Sequence, residues 1–193
     1  LKPANTALLR HMDVRPLSQL ARDQRRHPYD AVLYHMGNSA VHAPIWRAMQ
    51  QVPGIVVLHE FVLHHFMLNY AAVVERDIER YRAEAAQRYG AEGERVAGLM
   101  MRGRFVEAAF DLPFCERVLA TAEGLIAHSR FVLDRALALQ PGLPAAQVPM
   151  GNTDFEAPVR KMMGAAAIAI PTGNSTLKNA GFTKLVKRDE GVY

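Results

Sequence analysis

Three pairs of polar or flexible residues directly follow short apolar runs of the chain. These pairs are Gly37-Asn38, His59-Glu60 and His128-Ser129. An imidazole such as that of His59 can donate a hydrogen bond to a substrate hydroxyl or phosphate, or accept a proton, near neutral pH. A glycine such as Gly37 lets a loop backbone come close to a ligand. The three pairs are therefore the candidate ligand-handling residues, and His59 is the candidate catalytic residue.

Each pair also has a purely structural interpretation. His59 could instead tie down its own loop, and Gly37-Asn38 could be an ordinary turn. Ser129 is expected to be at least a helix N-cap, although the N–H groups at that helix start could also hold an anion. The Gly-x-Gly-x-x-Gly fingerprint of dinucleotide-binding proteins is absent from the sequence. The residue pattern alone leaves the functional and the structural interpretations open.

The histidines of this region do not match a known metal motif. A zinc protease helix needs His-Glu-x-x-His, with the two imidazoles four residues apart on one helical face. The spacing from His59 to His64 is five residues, and His59 is expected at the end of a strand. We therefore predict no metal site and no cofactor, and we interpret His64 and His65 as partly buried helix residues with satisfied nitrogens.

The elements that must position these residues alternate between strands and helices. Apolar runs at Tyr29–Met36 and Ile55–Leu58 are separated by a helical pattern over Ser39–Gln51 and a turn at Pro53-Gly54. This alternation is typical of a parallel sheet with crossover helices, which binds ligands outside the carboxyl ends of its strands. The sequence therefore predicts an α/β fold, with a Rossmann-like open parallel sheet, helices on both faces, and the three pairs on one wall of a crevice.

Helix signals organise the rest of the first 152 residues into one domain. Residues 13–16 are predicted to be a loop before a helix that ends near Arg26. A helical insertion over about residues 76–110 is predicted to contain two helices separated near Gly90. Asp111 offers an N-cap for a helix over about residues 113–122, and residues 125–128 and 146–149 are the third and fourth predicted strands.

The composition changes after Asn152. Lysine is absent from residues 3–160, and four of the five lysines lie in the last 33 positions. We therefore leave residues 153–193 unassigned, as a linker or a junction with foreign sequence, with a strand expected at Ala165–Ile170.

Composition limits the classes of protein that the chain can represent. Its 193 residues with 50% hydrophobic content can bury one substantial core. No apolar run reaches the roughly 20 residues that span a bilayer. The single cysteine, Cys115, fits a reducing cytoplasm and is interpreted as a packing residue. The net charge of +4 comes mostly from arginines that alternate with glutamates, as on a solvated helix face; attraction to anionic lipid or nucleic acid is the alternative.

Four segments together resemble the N-terminal, acceptor-side domain of bacterial family-4 glycosyltransferases. They are Tyr29–Asn38 (YDAVLYHMGN), Pro53–His65 (PGIVVLHEFVLHH), Ala122–Phe131 (AEGLIAHSRF) and Pro141–Gly151 (PGLPAAQVPMG). The resemblance runs from about Val14 to Asn152. It implies a GT-B architecture, in which two Rossmann-like domains face a cleft without an essential metal. Such enzymes transfer a sugar from a nucleotide-sugar donor to an acceptor hydroxyl, usually with retention of configuration.

The resemblance also implies roles for the candidate residues. His59 and Glu60 match the family's His-Asp or His-Glu strand-end motif, whose histidine contacts the donor sugar. Gly37 and Asn38 match a glycine-containing loop near the diphosphate and the acceptor. The segment at residues 128–129 matches a strand end that lines the interdomain side.

The chain departs from the family after residue 152, where the donor-binding domain should begin. The 41 residues from 153 to 193 are too few to form it, so the chain is expected to be inactive alone. Expected partners are a nucleotide sugar and a glycan or lipid-linked acceptor, without nucleic acid, in the cytoplasm with peripheral contact to the inner membrane surface. The alternative is a non-catalytic glycan- or partner-binding module on the same fold. A complete small nucleotide-binding enzyme is disfavoured, because no phosphate loop or nucleophile constellation is present.

Overall fold

The computed structural model describes residues 12–149, 168–172 and 181–185, with side chains described for residues 15–149. The strands are β1 (Met12–Pro16), β2 (Ala31–Met36), β3 (Ile55–Leu58), β4 (Gly124–Ala127), β5 (Ala145–Gln147), β6 (Ile168–Thr172) and β7 (Gly181–Leu185). The α-helices are α1 (Leu20–Arg26), α2 (Ala43–Gln51), α3 (His64–Asn69), α4 (Ile78–Met101), α5 (Glu116–Thr121) and α6 (Arg130–Leu139). Short 3₁₀ turns lie at Leu17–Gln19, Ala40–His42 and Glu107–Asp111, and a π-helical turn at Tyr70–Glu75 continues α3.

The strands form one sheet in the order β1-β7-β6-β2-β3-β4-β5. Strands β2 to β5 are parallel, and β6 is parallel to β2. Strand β7 runs antiparallel to its neighbours β1 and β6. The predicted fold class, an α/β protein with a Rossmann-like open parallel sheet and a helical insertion, is confirmed.

The connections from β1 to β5 explain where the described helices pack. Each crossover moves in the same direction across the sheet, and right-handed crossovers then place the connecting helices on one face. The helices join one apolar cluster with the sheet residues Val32, Tyr34, Met36, Val56 and Leu58. The sequence predicted helices on both faces of the sheet, whereas the described helices all pack on the face of Val32 and Tyr34.

The opposite face of the central strands is equally buried. Leu33, Ile55, Val57 and Ile126 point away from the helix-covered cluster and have no exposed surface. Continuous burial explains why β2, β3 and β4 appear in the sequence as apolar runs rather than alternating patterns.

Several element boundaries differ from those predicted. Residues 13–16 were expected to be a loop, but they belong to β1, because the backbone of this segment pairs with that of β7. The helix expected from about residue 113 begins at Glu116, and Asp111 ends a 3₁₀ turn instead of capping it. The strand expected at Ala165–Ile170 is found at Ile168–Thr172.

The helical insertion breaks where the sequence predicts. Gly90 interrupts α4 with φ 65° and ψ −149°, a conformation open essentially only to glycine. Across this break Arg82 pairs with Glu94 at 2.8 Å, so the two halves of α4 fold back on each other. No helix in the described part of the chain combines the length and apolar character needed to cross a bilayer.

Candidate functional site

Three histidines meet at the carboxyl ends of β2, β3 and β4. His35 is paired in register with Val57, and Val57 is paired with Ile126. Side chains alternate between the two faces of a strand, so the positions two residues beyond Val57 and Ile126 share the face of His35. These positions are His59 and His128. Sheet register thus places the three imidazoles together on the face opposite to the described helices.

The three rings lie next to one another with His59 in the middle. The ring centroids of His35 and His59 are 5.1 Å apart at an interplanar angle of 29°, and those of His59 and His128 are 4.9 Å apart. His35 Nδ1 lies 2.9 Å from His59 Nε2, within hydrogen-bond distance. One of these nitrogens must donate and the other accept, so the bond is compatible with two neutral rings.

The surroundings of the rings favour their neutral forms. Burial, and after it the positive charges that could develop on His59, His128 and His42, lowers the pKa of His35 to about 4. Burial also lowers the pKa of His59, followed by the effects of His128 and His42. Both imidazoles are therefore uncharged at neutral pH and can exchange hydrogen bonds with a polar ligand.

The loop after β4 holds the third imidazole through its backbone. His128 Nδ1 lies 2.8 Å from the carbonyl oxygen of Val148, so Nδ1 carries a proton and donates to this oxygen. Ser129 is exposed and is the N-cap of α6, where its hydroxyl accepts from the Val132 N–H at 3.3 Å. The predicted cap is confirmed, while anion binding at this helix start stays a prediction.

Gly37 makes room for side chains from two neighbouring loops. It is buried, and a Cβ at this position would lie 3.1 Å from His42 Cε1 and 3.8 Å from Glu60 Oε1. Glu60 is exposed beside it. A side chain at this position would crowd the His42 ring, which explains the glycine. The loops after β2 and β3 approach each other here.

Asn38 joins the loop after β2 to the first turn of α3. Its Oδ1 accepts from the Phe66 N–H at 2.9 Å, and its Nδ2 lies 3.3 Å from His65 Nδ1. Because Oδ1 is fixed as an acceptor, Nδ2 donates to His65. Asn38 therefore satisfies an otherwise unpaired helix N–H, and its predicted contact with substrate stays a prediction.

His64 and Cys115 are packing residues, as the sequence suggested. His64 is completely buried, with Nδ1 near the carbonyl oxygens of Ala109 and Leu112 at 3.1 and 3.0 Å. Burial raises the pKa of the Cys115 thiol to about 12, which leaves it protonated and unreactive at neutral pH.

Sequence reasoning did not select His35 as a site residue. It lies inside an apolar run, and its neighbours His59 and His128 lie 24 and 93 positions further along the chain. Alternation along β2 places His35 on the same face as Gly37, so the register of the predicted strands could have revealed the cluster. No group of three or more histidine, cysteine, aspartate or glutamate residues in the described ranges is arranged to hold a metal ion.

An open cleft of about 640 Å³ lies elsewhere, on the helical insertion. Its lining residues are Arg82, Ala91, Glu94, Arg95, Gly98, Leu99, Met101 and Arg102. Arg82 and Arg95 are paired with exposed glutamates at 2.8 and 2.6 Å. Paired charges of both signs are typical of a solvated surface, so we place the candidate site at the strand ends.

Comparison of the chain with models of known protein families, with curated proteins and with solved structures found no significant match.

Proposed function

We propose that this chain is the acceptor-side half of a glycosyltransferase of GT-B type. The observation that carries the proposal is the position of His59, whose half-buried ring lies between His35 and His128 at the carboxyl edge of a parallel sheet. Ligands of open α/β sheets bind at this edge. The four segments that resemble family-4 glycosyltransferases include the loops at this edge, which supports a sugar as the ligand.

In the proposed reaction, the bond between the sugar and the nucleoside diphosphate breaks, and a bond between the sugar and the acceptor oxygen forms. The proton of the acceptor hydroxyl passes to the departing nucleoside diphosphate. Burial keeps the pKa of His59 low, so its neutral ring would exchange hydrogen bonds with a sugar hydroxyl rather than attract the diphosphate by charge. Gly37 and Glu60 would lie on the same wall, with His128 and Ser129 beside them.

A second wall is required for catalysis in this proposal. Transfer needs groups positioned on both sides of the reacting sugar, and the nucleotide would be held by a donor-binding domain. Acceptors would be glycans or lipid-linked sugars at the cytoplasmic face of a membrane, and no nucleic acid would be bound.

Titration of the full chain with UDP-glucose, GDP-mannose and methyl glycosides, followed by the histidine ring signals in NMR spectra, tests the proposal. We expect weak saturable binding with Kd of about 1 mM, typical of a ligand held on one side only. His59→Ala should weaken it at least tenfold. His27→Ala is the matched control, because His27 is exposed and precedes β2 at the opposite edge of the sheet.

Three results would contradict the proposal. Binding of nucleotide sugars that is equally strong in His59→Ala and His27→Ala would remove His59 from the site. Absence of binding for nucleotide sugars and glycosides alike would contradict a sugar site at this edge of the sheet. The gene sequence beyond residue 152 offers a further check, since an unrelated neighbour in place of a donor-binding domain would oppose a transferase.

A further inference from the structure

The His59 ring is fixed on three sides by its neighbours. Its Nε2 lies 2.9 Å from His35 Nδ1. The His128 ring lies next to it, with the two ring centroids 4.9 Å apart at an interplanar angle of 38°. Its backbone N–H donates to the Met36 carbonyl oxygen at 2.9 Å. His59 Nδ1 has no hydrogen-bond partner among the residues that the structure describes.

We infer that His35 is a positioning residue, whose hydrogen bond holds the His59 ring in one orientation and leaves His59 Nδ1 as the atom that meets a ligand. The inference rests on the geometry of the two rings and stands whether or not the chain belongs to a glycosyltransferase.

The bond couples the tautomers of the two rings. If His35 Nδ1 carries the shared proton, neutral His59 carries its own proton on Nδ1 and donates to a ligand. If His59 Nε2 carries the proton, His59 Nδ1 is an acceptor and His35 is protonated on Nε2. The same tautomer must therefore be present in both neutral rings, Nδ1–H in one case and Nε2–H in the other.

This coupling selects a class of ligand group. A hydroxyl both donates and accepts, so it can bond to His59 Nδ1 in either tautomer while the pair stays uncharged. A carboxylate or phosphate can be bound in only one of the two states. A hydroxyl, as in a sugar or another polyol, is therefore the ligand group that both states of the pair can bind at His59 Nδ1.

His35 orients His59 and does not take up its proton. Burial and the neighbouring imidazoles lower the pKa of His35 to about 4, so a proton gained from a ligand would remain on His59. His42, the other imidazole that faces the pair, donates from Nδ1 to the Ser39 carbonyl oxygen at 3.1 Å and does not compete for His59.

The inference is tested first on the wild-type full chain with ¹⁵N-labelled histidine at pH 7.5. We expect a ¹⁵N–¹⁵N scalar coupling across the hydrogen bond between His35 Nδ1 and His59 Nε2. The nitrogen shifts should show the same dominant tautomer in both rings. Absence of the coupling, or opposite tautomers in the two rings, would overturn the inference without requiring any variant to fold.

A variant series separates positioning from packing. His35→Phe keeps an aromatic ring without the hydrogen bond, and His35→Gln keeps a side chain that can donate or accept. His35→Phe should shift the ratio of the Nδ1–H to the Nε2–H form of His59 about tenfold toward the ratio in free histidine. A tenfold shift corresponds to the loss of one typical hydrogen bond. His35→Gln should restore the wild-type ratio.

His42→Phe is the matched control, because His42 is near the cluster but makes no bond to His59. It should leave the His59 ratio unchanged. Equal effects of His35→Phe and His42→Phe would show that the hydrogen bond has no positioning role. Failure of sugars to bind in the titrations above would leave these spectra unaffected and would count only against the proposed function.

Discussion

The adjacent histidines His64 and His65 begin the same helix but make different contributions. His65 is half-buried and reaches the loop after β2 through Asn38. His64 is completely buried, and its Nε2 accepts from the Tyr81 hydroxyl at 2.5 Å while its Nδ1 donates toward two carbonyl oxygens. One imidazole thus links α3 to α4 and to the segment before α5.

Replacement of His64 should therefore destabilise the fold. His64→Leu keeps an apolar side chain but leaves the Tyr81 hydroxyl and two carbonyl oxygens without their buried partner. We expect the free energy of unfolding to fall by about 2–4 kcal/mol, measured by urea denaturation. His27→Leu, at an exposed position, should change it by less than about 0.5 kcal/mol. Equal effects of the two variants would contradict the structural role of His64.

At the residue scale, the sequence revealed only what local pattern determines. Ser129 follows an apolar run and precedes a helical pattern, so its role as a cap was predictable. The partner of Asn38 was not, because the Phe66 N–H lies 28 positions away and is brought near by the crossover from β2 to β3. The histidine cluster likewise depends on register between strands, which a single sequence does not state.

The two halves of α4 are held together by a close backbone approach. A Cβ at Gly93 would lie 2.2 Å from the Ala85 carbonyl oxygen, inside the contact between the halves. Gly98 lies in the same helix, but a Cβ there would meet only an Arg102 side-chain nitrogen at 3.7 Å. The two glycines therefore have different reasons to be present.

Alanine at these two positions should have opposite effects. Gly93→Ala should lower the free energy of unfolding by about 1–3 kcal/mol, because the added methyl group overpacks the contact. Gly98→Ala should raise it by roughly 0.5–1 kcal/mol, because alanine favours a helix over the unfolded chain. Urea denaturation followed by circular dichroism measures both. A stabilising Gly93→Ala would show that the halves of α4 do not pack as described.

The same contrast explains which elements the sequence could predict. The break in α4 was predictable, because glycines at positions 90 and 93 interrupt a helical pattern. Strand β1 was not, because its hydrogen-bonding partner is a distant segment, with Met12 opposite Leu185. Strands β2 and β3 were recognisable, because a strand that is buried on both faces has a nearly continuous run of apolar residues.

At the scale of the whole molecule, the order of the strands separates the helices from the histidine cluster. Strands β2 to β5 follow one another across the sheet, and their crossover helices share one face with Val32 and Tyr34. His35, His59 and His128 continue the other face at its carboxyl edge. The fold class was predictable from the alternation of elements. The placement of the helices on one face and the histidines on the other was not, because it depends on the direction of each crossover.

The buried imidazoles should make the stability of the whole molecule depend on pH. The pKa values of His35, His59 and His64 are lower in the folded chain than the ordinary value of 6.5. Below that value the unfolded state binds more protons than the folded state, so stability is full above about pH 7 and falls as the pH drops. For His35, a folded pKa of about 4 corresponds to a loss of up to about 3 kcal/mol.

Urea denaturation of the wild type and His35→Gln between pH 7.5 and 4.5 measures this contribution. Carboxylates also protonate toward the acidic end, but they do so in both proteins, and the difference between the two curves isolates His35. We expect the wild type to lose more stability than His35→Gln as the pH falls, with His27→Ala following the wild type. Parallel curves for wild type and His35→Gln would show that His35 is protonated as easily in the folded chain as in the unfolded one.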